Sequence, residues 1–190
     1  MTESLLNIGP IKEPWLSPEC LCPQDPLLRN WLLNTGSLTE RLQSQCLRFD
    51  VEVLSQSVSG ISQDETNYLY GQFDVPAQST QVREVFLKGN DQHWVFARSL
   101  LPCEFLHQEM AELTQLGNQP LGKIIFNDDR FERLGFQLVE CPVAGATQTS
   151  LAIRAGFSLW GRRSLFRFKQ HHIMVAEIFL PDCPAYSYNP

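Results

Sequence analysis

The chain has 190 residues, of which 43% are hydrophobic and 19% charged. The length and the hydrophobic fraction suffice for one domain with a buried core, and the charged fraction is too low for a coiled coil. Its net charge of −6 argues against nucleic-acid binding, because phosphate contacts need a surplus of Lys and Arg. The same charge gives no long-range attraction to an anionic ligand, so local cations or backbone amides must hold one.

No segment of the sequence is typical of a membrane or secreted protein. No apolar run approaches the ~20 residues that span a bilayer. The N-terminus lacks the basic start, apolar stretch and cleavage site of a secretory signal, so we expect a cytoplasmic protein with no membrane insertion. The six cysteines are then expected to be reduced thiols. His171 and His172 are adjacent and would point to opposite faces of a strand, so no metal site is predicted.

The N-terminal part predicts an arm followed by two short helices. Residues 1–24 are rich in Pro and turn-forming residues and are expected to be irregular. Asp25-Pro26 is a typical helix start, with an N-cap residue followed by Pro at the first helical position. Ser37 and Glu40 have the spacing of a capping box, which begins the second helix.

The middle of the chain predicts two strands followed by a hairpin. Apolar and charged residues alternate over 48–58, which is the period of a half-buried strand. The polar stretch that follows contains one predicted short strand, around Tyr68–Phe73. The clearest hairpin joins strands over 81–87 and 93–101 through a turn at Gly89-Asn90-Asp91.

The C-terminal half predicts two helices and three strands. Helical spacing runs over 104–116, and Pro120 opens a short helix or turn through Phe126. A strand over 131–139, a loop over 142–158 and a hairpin with strands 160–168 and 173–180 complete the chain. About six strands joined mostly by hairpins, with a few short helices and no linker, predict a single α+β domain with a mostly antiparallel sheet over residues 1–190.

Two charged residues in predicted strands are candidates for a site. Glu177 is the one charge in an apolar run of strand length, and a carboxylate buried there is costly unless it is paired or protonated. It is either a structural acid held by the protein or a ligand-binding group. Arg83 and Glu84 point to opposite faces of their strand, so one of them lies on the core side. Arg83 would suit a buried carboxylate partner; the alternative is an edge-strand charge with its head in solvent.

Two further features could bind an anion. Arg162 and Arg163 are adjacent and split between the faces of a strand, and with Arg167 they form the most basic stretch of the chain. They are either an anion-facing patch or the exposed face of a hairpin. The helix start after Pro120 has free backbone N–H groups, but it lacks the spacing of a nucleotide-binding loop.

Taken together, these segments resemble the chorismate lyase (chorismate pyruvate-lyase) family of ubiquinone synthesis. The matching stretches, in the order of the family, are DPLLRNWLL, SLTERLQSQ, VREVFL, QPLGKIIF, LWGRRSLFRF and VAEIFLP. They cover most of the chain from Asp25 to Pro181, and LWGRRS and AEIFLP are the most specific. The regions 1–24, 59–80 and 142–158 match poorly, and nothing is carried over to them.

The resemblance implies a lyase that eliminates pyruvate from chorismate to give 4-hydroxybenzoate, the first committed step of ubiquinone synthesis. It also implies a six-stranded antiparallel sheet and an internal ligand cavity covered by flaps. Four positions that touch the product in the family correspond here to Leu38, Arg83, Leu121 and Glu177. Position 38 departs from the family, since Met stands there in the best-known member; the change is mild if only apolar contact matters.

The resemblance also assigns roles. Arg83 is expected to bind the ring carboxylate with help from the backbone N–H of Leu121, and Glu177 to meet the hydroxyl that becomes the phenol, so both count as catalytic. Aromatisation of the ring drives the reaction, so no cofactor and no metal are expected. The pyruvyl carboxylate needs a further cation, which Arg162, Arg163 or Lys123 could supply. A monomer is expected.

Two other classes of protein fit the same residues. The first is a non-catalytic module that binds a small aromatic acid, because the sheet resembles that of effector domains in transcription regulators. Those domains are usually attached to a helix-turn-helix, for which residues 1–24 are too short. The second is a structural partner protein, in which another protein group would neutralise Glu177.

Overall fold

A six-stranded sheet organises the protein, whose computed structural model describes residues 13–71, 78–142 and 157–186. The strands follow one another across the sheet in the order β1-β2-β3-β6-β5-β4, and every neighbouring pair is antiparallel. The predicted α+β fold with a six-stranded antiparallel sheet is thus confirmed. The strands are β1 (Phe49–Val58), β2 (Thr80–Gly89), β3 (Gln92–Pro102), β4 (Phe131–Pro142), β5 (Ser158–Phe168) and β6 (His171–Phe179).

Five short α-helices and one 3₁₀ helix accompany the sheet in the described part of the chain. The predicted helix starts are confirmed: Asp25 accepts hydrogen bonds from the backbone N–H groups of Leu27 and Leu28, and Ser37 Oγ accepts one from Glu40. The helices are α1 (Pro26–Leu32), α2 (Leu38–Gln43), α3 (Gln63–Tyr70), α4 (Cys103–Gln108), the 3₁₀ helix Ala111–Gln115 and α5 (Leu121–Asn127).

The strand predicted around Tyr68–Phe73 is wrong, because Tyr68 to Tyr70 belong to α3. That helix begins with a capping box. The Glu65 N–H donates to Ser62 Oγ at 3.2 Å, and the Ser62 N–H donates to Glu65 Oε2 at 2.8 Å. The S-x-x-E spacing that predicts such a box stands in the sequence. Residues 72–77 lie outside the described ranges.

The single helix predicted over 104–116 is also wrong. It is divided into α4 and the 3₁₀ helix, and the backbone leaves the helical region at Glu109 and Met110. Both parts bury apolar side chains, so the helical spacing of the sequence reflects burial in two separate turns rather than one continuous helix. Of the loop predicted over 142–158, residues 143–156 lie outside the described ranges.

Both faces of the sheet are covered. The front face, which carries Arg83, packs against α1, α2 and α5; the back face, which carries Glu84, packs against α3. Each charge therefore needs a partner: on the back face, Arg98 donates to Glu84 at 2.7 Å and to Glu65 at 2.6 Å. The sequence predicted that only one of Arg83 and Glu84 faces the core. Both do, because both faces of the sheet are covered. None of the helices described here is long and apolar enough to cross a membrane.

Gly161 in β5 provides a test of the packing beneath the site. A Cβ at this position would lie 2.3 Å from Ile178 Cδ1 and 2.9 Å from the backbone oxygen of Glu177, in the adjacent β6. We expect Gly161→Ala to lower the free energy of unfolding by about 1–3 kcal/mol, measured by urea denaturation, because the sheet backbone must shift. Gly135→Ala is the control, since nothing lies within 4 Å of a Cβ there. Equal stability of the two variants would contradict this packing.

Candidate active site

A pocket of about 40 Å³ lies between the front face and helices α2 and α5. Apolar side chains of β1, β2, β3, β5, β6 and α5 form most of its lining. Arg83 and Glu177, the two charged residues singled out in the sequence, both contribute to it. Its polar side chains are Thr39, Arg83, Ser99, Arg133, Ser164 and Glu177.

The roof of the pocket is the contact between α2 and α5. Gly122 on α5 lies against Thr39 on α2, so closely that a Cβ at position 122 would be 2.9 Å from Thr39 Oγ1. Leu121, the first residue of α5, is buried and lines the pocket. The predicted short helix after Pro120 is therefore confirmed, and it brings its N-terminal residue into the candidate site.

Arg83 is a buried cation that the protein holds with neutral oxygens. Its side chain comes from β2, is 2% exposed and donates to Gln56 Oε1 at 2.5 Å. Its other terminal nitrogen donates to the backbone oxygens of Gly117 and Gln119, at 2.8 and 3.1 Å. Burial lowers the pKa of Arg83, and no carboxylate of the described residues forms an ion pair with it. The alternative of an edge-strand charge with its head in solvent is wrong.

Glu177 forms a salt bridge with Arg162. Arg162 Nε donates to Glu177 Oε2 at 2.6 Å, and the two side chains are 1% and 13% exposed, respectively. Nη1 of the same arginine donates to the backbone oxygens of Leu32 and Asn34, at 3.3 and 2.6 Å. Glu177 is thus a structural ion-pair partner and a pocket-lining acid at once, so the two interpretations left open by its sequence context do not exclude each other.

The strand register fixes the spacing of Arg83 and Glu177. Ala97 in β3 faces Glu177, and Ser99 faces Arg83, so the two charges are two strands and two residues apart. With strands about 4.8 Å apart and a rise of about 3.4 Å per residue, their Cα atoms are roughly 12 Å apart. Both side chains line the pocket, so a ligand with a polar group at each end could contact both of them.

The other residues predicted for the site have different locations. Leu38 is buried in the hydrophobic cluster with Trp31 and Leu42 and does not line the pocket, whereas the next residue, Thr39, does. Lys123 is exposed and lies outside the lining. Three of the four predicted contact positions, Arg83, Leu121 and Glu177, therefore lie in the lining of the pocket.

The basic stretch of β5 divides between the two faces, as predicted from its alternation. Arg162 lies on the front face, whereas Arg163 lies on the back face and pairs with Asp64. Both are buried, so an exposed hairpin face is the wrong interpretation for them. The interpretation as an exposed hairpin face holds only for Arg167, which is half exposed and pairs with Glu132.

Sequence reasoning missed several polar residues of the site, among them Thr39, Ser99 and three that bear on ligand binding. Gln56 holds Arg83, and Arg133 and Ser164 line the pocket. The period of two along β5 could have found Ser164, two residues after Arg162 on the same face. Arg133 had no such signal, because the register of β4 shifts between Arg133 and Gly135.

The electrostatics of Arg133 set it apart from a surface arginine. Its pKa is lowered to about 10, chiefly by burial and also by the nearby positive charge of Arg162, against smaller opposing effects of Glu177 and Tyr68. The candidate site thus holds two guanidinium groups without a carboxylate partner in the described ranges, Arg83 and Arg133, beside one internal ion pair. Within those ranges, no cluster of His, Cys, Asp and Glu could hold a metal ion.

Comparison with known proteins identifies close relatives. The sequence pattern of the family described as "Chorismate lyase" matches residues 10–189. A "Probable chorismate pyruvate-lyase" of Pseudoalteromonas atlantica is 44% identical over 175 residues, which cover 84% of this chain and 82% of the relative. A protein of the same description from Shewanella amazonensis is 37% identical over 182 residues, which cover 93% of this chain and 91% of the relative.

A solved structure shares the fold at low sequence identity. The effector domain of PhnF from Mycobacterium smegmatis matches with a TM-score of 0.54 and 14% identity, over 80% of this chain and 92% of that domain. The likeness of the sheet to effector domains of transcription regulators, expected from the sequence, is confirmed for the fold alone.

Proposed function

The chain belongs to the chorismate lyase family, and we propose that the pocket between the front face and helices α2 and α5 is its active site. The protein is a carbon–oxygen lyase that releases pyruvate from chorismate. We propose 4-hydroxybenzoate as the second product, and ubiquinone synthesis as the pathway, as is known for the family. The observation that carries the assignment of the site is the presence of an unpaired buried cation, Arg83, and a carboxylate, Glu177, in one pocket.

Arg83 binds the ring carboxylate of chorismate. The bonds to Gln56, Gly117 and Gln119 use three of the five N–H donors of its guanidinium, and the remaining two can donate charge-assisted hydrogen bonds to a carboxylate. Gln56 and the carbonyls of Gly117 and Gln119 fix its orientation before the ligand arrives, so little side-chain entropy is lost on binding. The backbone N–H of Leu121 at the start of α5 supports the same carboxylate.

Glu177 accepts a hydrogen bond from the ring hydroxyl that becomes the phenol. Its salt bridge with Arg162 holds the carboxylate in one orientation. The bond between the ring and the ether oxygen then breaks, and the ring carbon that bears the hydroxyl loses its hydrogen as a proton. The enolpyruvate that leaves takes up a proton and becomes pyruvate, so atoms and charge balance. Aromatisation supplies the driving force, and the site contributes orientation and charge stabilisation.

Helices α2 and α5 are the flaps that cover the cavity. A pocket of about 40 Å³ is smaller than the ~150 Å³ cavity that accommodates a benzene ring, so a substituted ring requires the roof to move. The contact between Gly122 and Thr39 is where the two helices would separate. Leu38 lies at the first turn of α2, where a shift of the helix would bring it toward the ring.

We also propose a domain organisation, an oligomeric state and a cellular location for the protein. The proposal is one domain over the described residues and a protein that acts as a monomer in the cytoplasm; of the irregular arm predicted over 1–24, residues 1–12 lie outside the described ranges. Size-exclusion chromatography with light scattering tests the oligomeric state.

The function is tested by mixing the purified protein with chorismate. We expect the ultraviolet spectrum of 4-hydroxybenzoate to appear, with one pyruvate released for each, measured in a coupled lactate dehydrogenase assay. A non-catalytic module would bind chorismate and leave both signals at the level of the uncatalysed reaction. That result would contradict the proposal, and no observation in this pocket favours such a module over the lyase.

A further inference from the structure

Two polar atoms of the pocket lack a partner in the described part of the chain. Arg133 Nε and Ser164 Oγ are shielded from solvent and form no hydrogen bond there. Both residues line the same pocket. A buried polar atom without a partner is costly, and more so if it is charged, so such atoms beside a cavity indicate a ligand that completes their hydrogen bonds.

Arg133 is held in place without being neutralised. Its Nη1 donates to the backbone oxygen of Thr35 at 3.3 Å. The guanidinium carbon lies 5.2 Å from the ring centroids of Phe126 and of Phe166, which restrict the side chain. No carboxylate of the described residues forms an ion pair with it, and the pKa of the group is lowered chiefly by burial. The protein thus keeps a partly desolvated cation beside the pocket with its Nε unused.

The two unpaired cations lie on opposite sides of the pocket. Arg83 belongs to β2 and Arg133 to β4, which are four strand positions apart. At about 4.8 Å between strands their Cα atoms are roughly 19 Å apart, and both side chains extend inward. Since Arg162 and Glu177 neutralise each other, the lining has an excess of two positive charges, which complements a ligand with two separated carboxylates.

We infer that Arg133, together with Ser164, binds the carboxylate of the enolpyruvyl group of chorismate. The inference rests on the proposed function of the same pocket and deepens it. The three cations considered from the sequence serve less well: Arg162 is occupied by Glu177, Arg163 lies on the back face, and Lys123 lies outside the pocket. Arg133 and Ser164 then distinguish the substrate, which has two carboxylates, from the aromatic product, which has one.

The test compares the two ligands in the Arg133→Gln variant. We expect its KM for chorismate, measured by pyruvate release, to rise about 30-fold or more, because a buried charge on the ligand loses its partner. The Kd for 4-hydroxybenzoate, measured by calorimetry, should stay within about threefold of the wild-type value, since the product lacks that carboxylate. Arg83→Gln should weaken the binding of both chorismate and 4-hydroxybenzoate. Arg130→Gln is the matched control, as Arg130 is exposed and pairs with Asp128.

Ser164→Ala is a second variant that removes one hydroxyl and changes little else. It should raise the KM for chorismate about 3- to 10-fold, which corresponds to the loss of one hydrogen bond of roughly 0.5–1.5 kcal/mol. The Kd for 4-hydroxybenzoate should not rise. It keeps the inference testable if Arg133→Gln does not fold, which a thermal melt would show.

Two outcomes would overturn the inference. Unchanged chorismate KM in the variants that fold would mean that these residues do not touch the substrate. An equal loss of chorismate and 4-hydroxybenzoate binding would assign Arg133 to the ring carboxylate instead. Failure of the proposed function is distinct from both, because the wild-type protein would then release no pyruvate from chorismate.

Discussion

Arg83→Ala is expected to lower kcat/KM for chorismate by a factor of about 30 to 1000. The estimate corresponds to roughly 2–4 kcal/mol for a ligand carboxylate that is buried and left without its charged partner. The structure supports a value in this range, because Arg83 is only 2% exposed and lines the pocket. Initial rates of pyruvate release at several chorismate concentrations provide the measurement.

Arg83 also tethers the segment before α5, and this second effect has to be separated from ligand binding. Its bonds to the carbonyls of Gly117 and Gln119 position Leu121 in the roof. Gln56→Leu is the matched control, because it leaves the charge of Arg83 and both of its carbonyl bonds. It removes one fixing contact of Arg83 and the bonds that Gln56 donates to the carbonyls of Leu113 and Thr114. We expect it to reduce kcat/KM far less than Arg83→Ala. Wild-type turnover in purified Arg83→Ala would refute the assignment of the ring carboxylate.

Glu177→Gln is expected to reduce both turnover and stability. If the acid transfers a proton, kcat falls by a factor of about 10²–10⁴, the usual contribution of general acid–base catalysis. Arg162 would lose its counterion while only 1% exposed. Breaking a buried ion pair in this way costs about 3–5 kcal/mol, and we expect the lower end because backbone oxygens still accept from Arg162. Steady-state kinetics and urea denaturation measure the two effects.

A double variant separates the two roles of Glu177. Replacing the pair with Arg162→Met and Glu177→Gln removes the uncompensated charge and should recover most of the stability. We expect turnover to stay low in this variant, because the group that meets the ring hydroxyl is still an amide. Recovery of turnover together with stability would show that Glu177 is only structural. Full activity in the single variant would exclude proton transfer and leave an orienting role.

The elements predicted with local signals agree with the structure, and the failures have local causes. The hairpin turn of Asn90 and Asp91 adopts φ angles of 48° and 67°, the left-handed conformation that two-residue turns require. Helix α3 was missed because Tyr68 and its neighbours favour strands on average, although Ser62 and Glu65 carried a capping box. The single helix predicted over 104–116 was wrong because apolar spacing indicates burial and does not reveal a break in the helical backbone.

The site was predictable in part, and mostly through the resemblance to a family. The isolation of Glu177 in an apolar run and the alternation around Arg83 predict buried charges, but neither predicts a partner. Leu121 and Leu38 were placed by resemblance alone, and only Leu121 lines the pocket. The assignment of all four residues to ligand contact stays a prediction until the variants are measured.

By itself, the amino-acid sequence determined the fold class, the hairpins and the placement of adjacent strand charges on opposite faces, because alternation, caps and turns act between residues close along the chain. Only the tertiary structure decided which charges neutralise one another. Arg162 pairs with Glu177 because β5 and β6 align in one register, and Arg83 and Arg133 stay without carboxylate partners in the described ranges on strands four positions apart. Such pairing depends on contacts between distant segments, which no local pattern encodes.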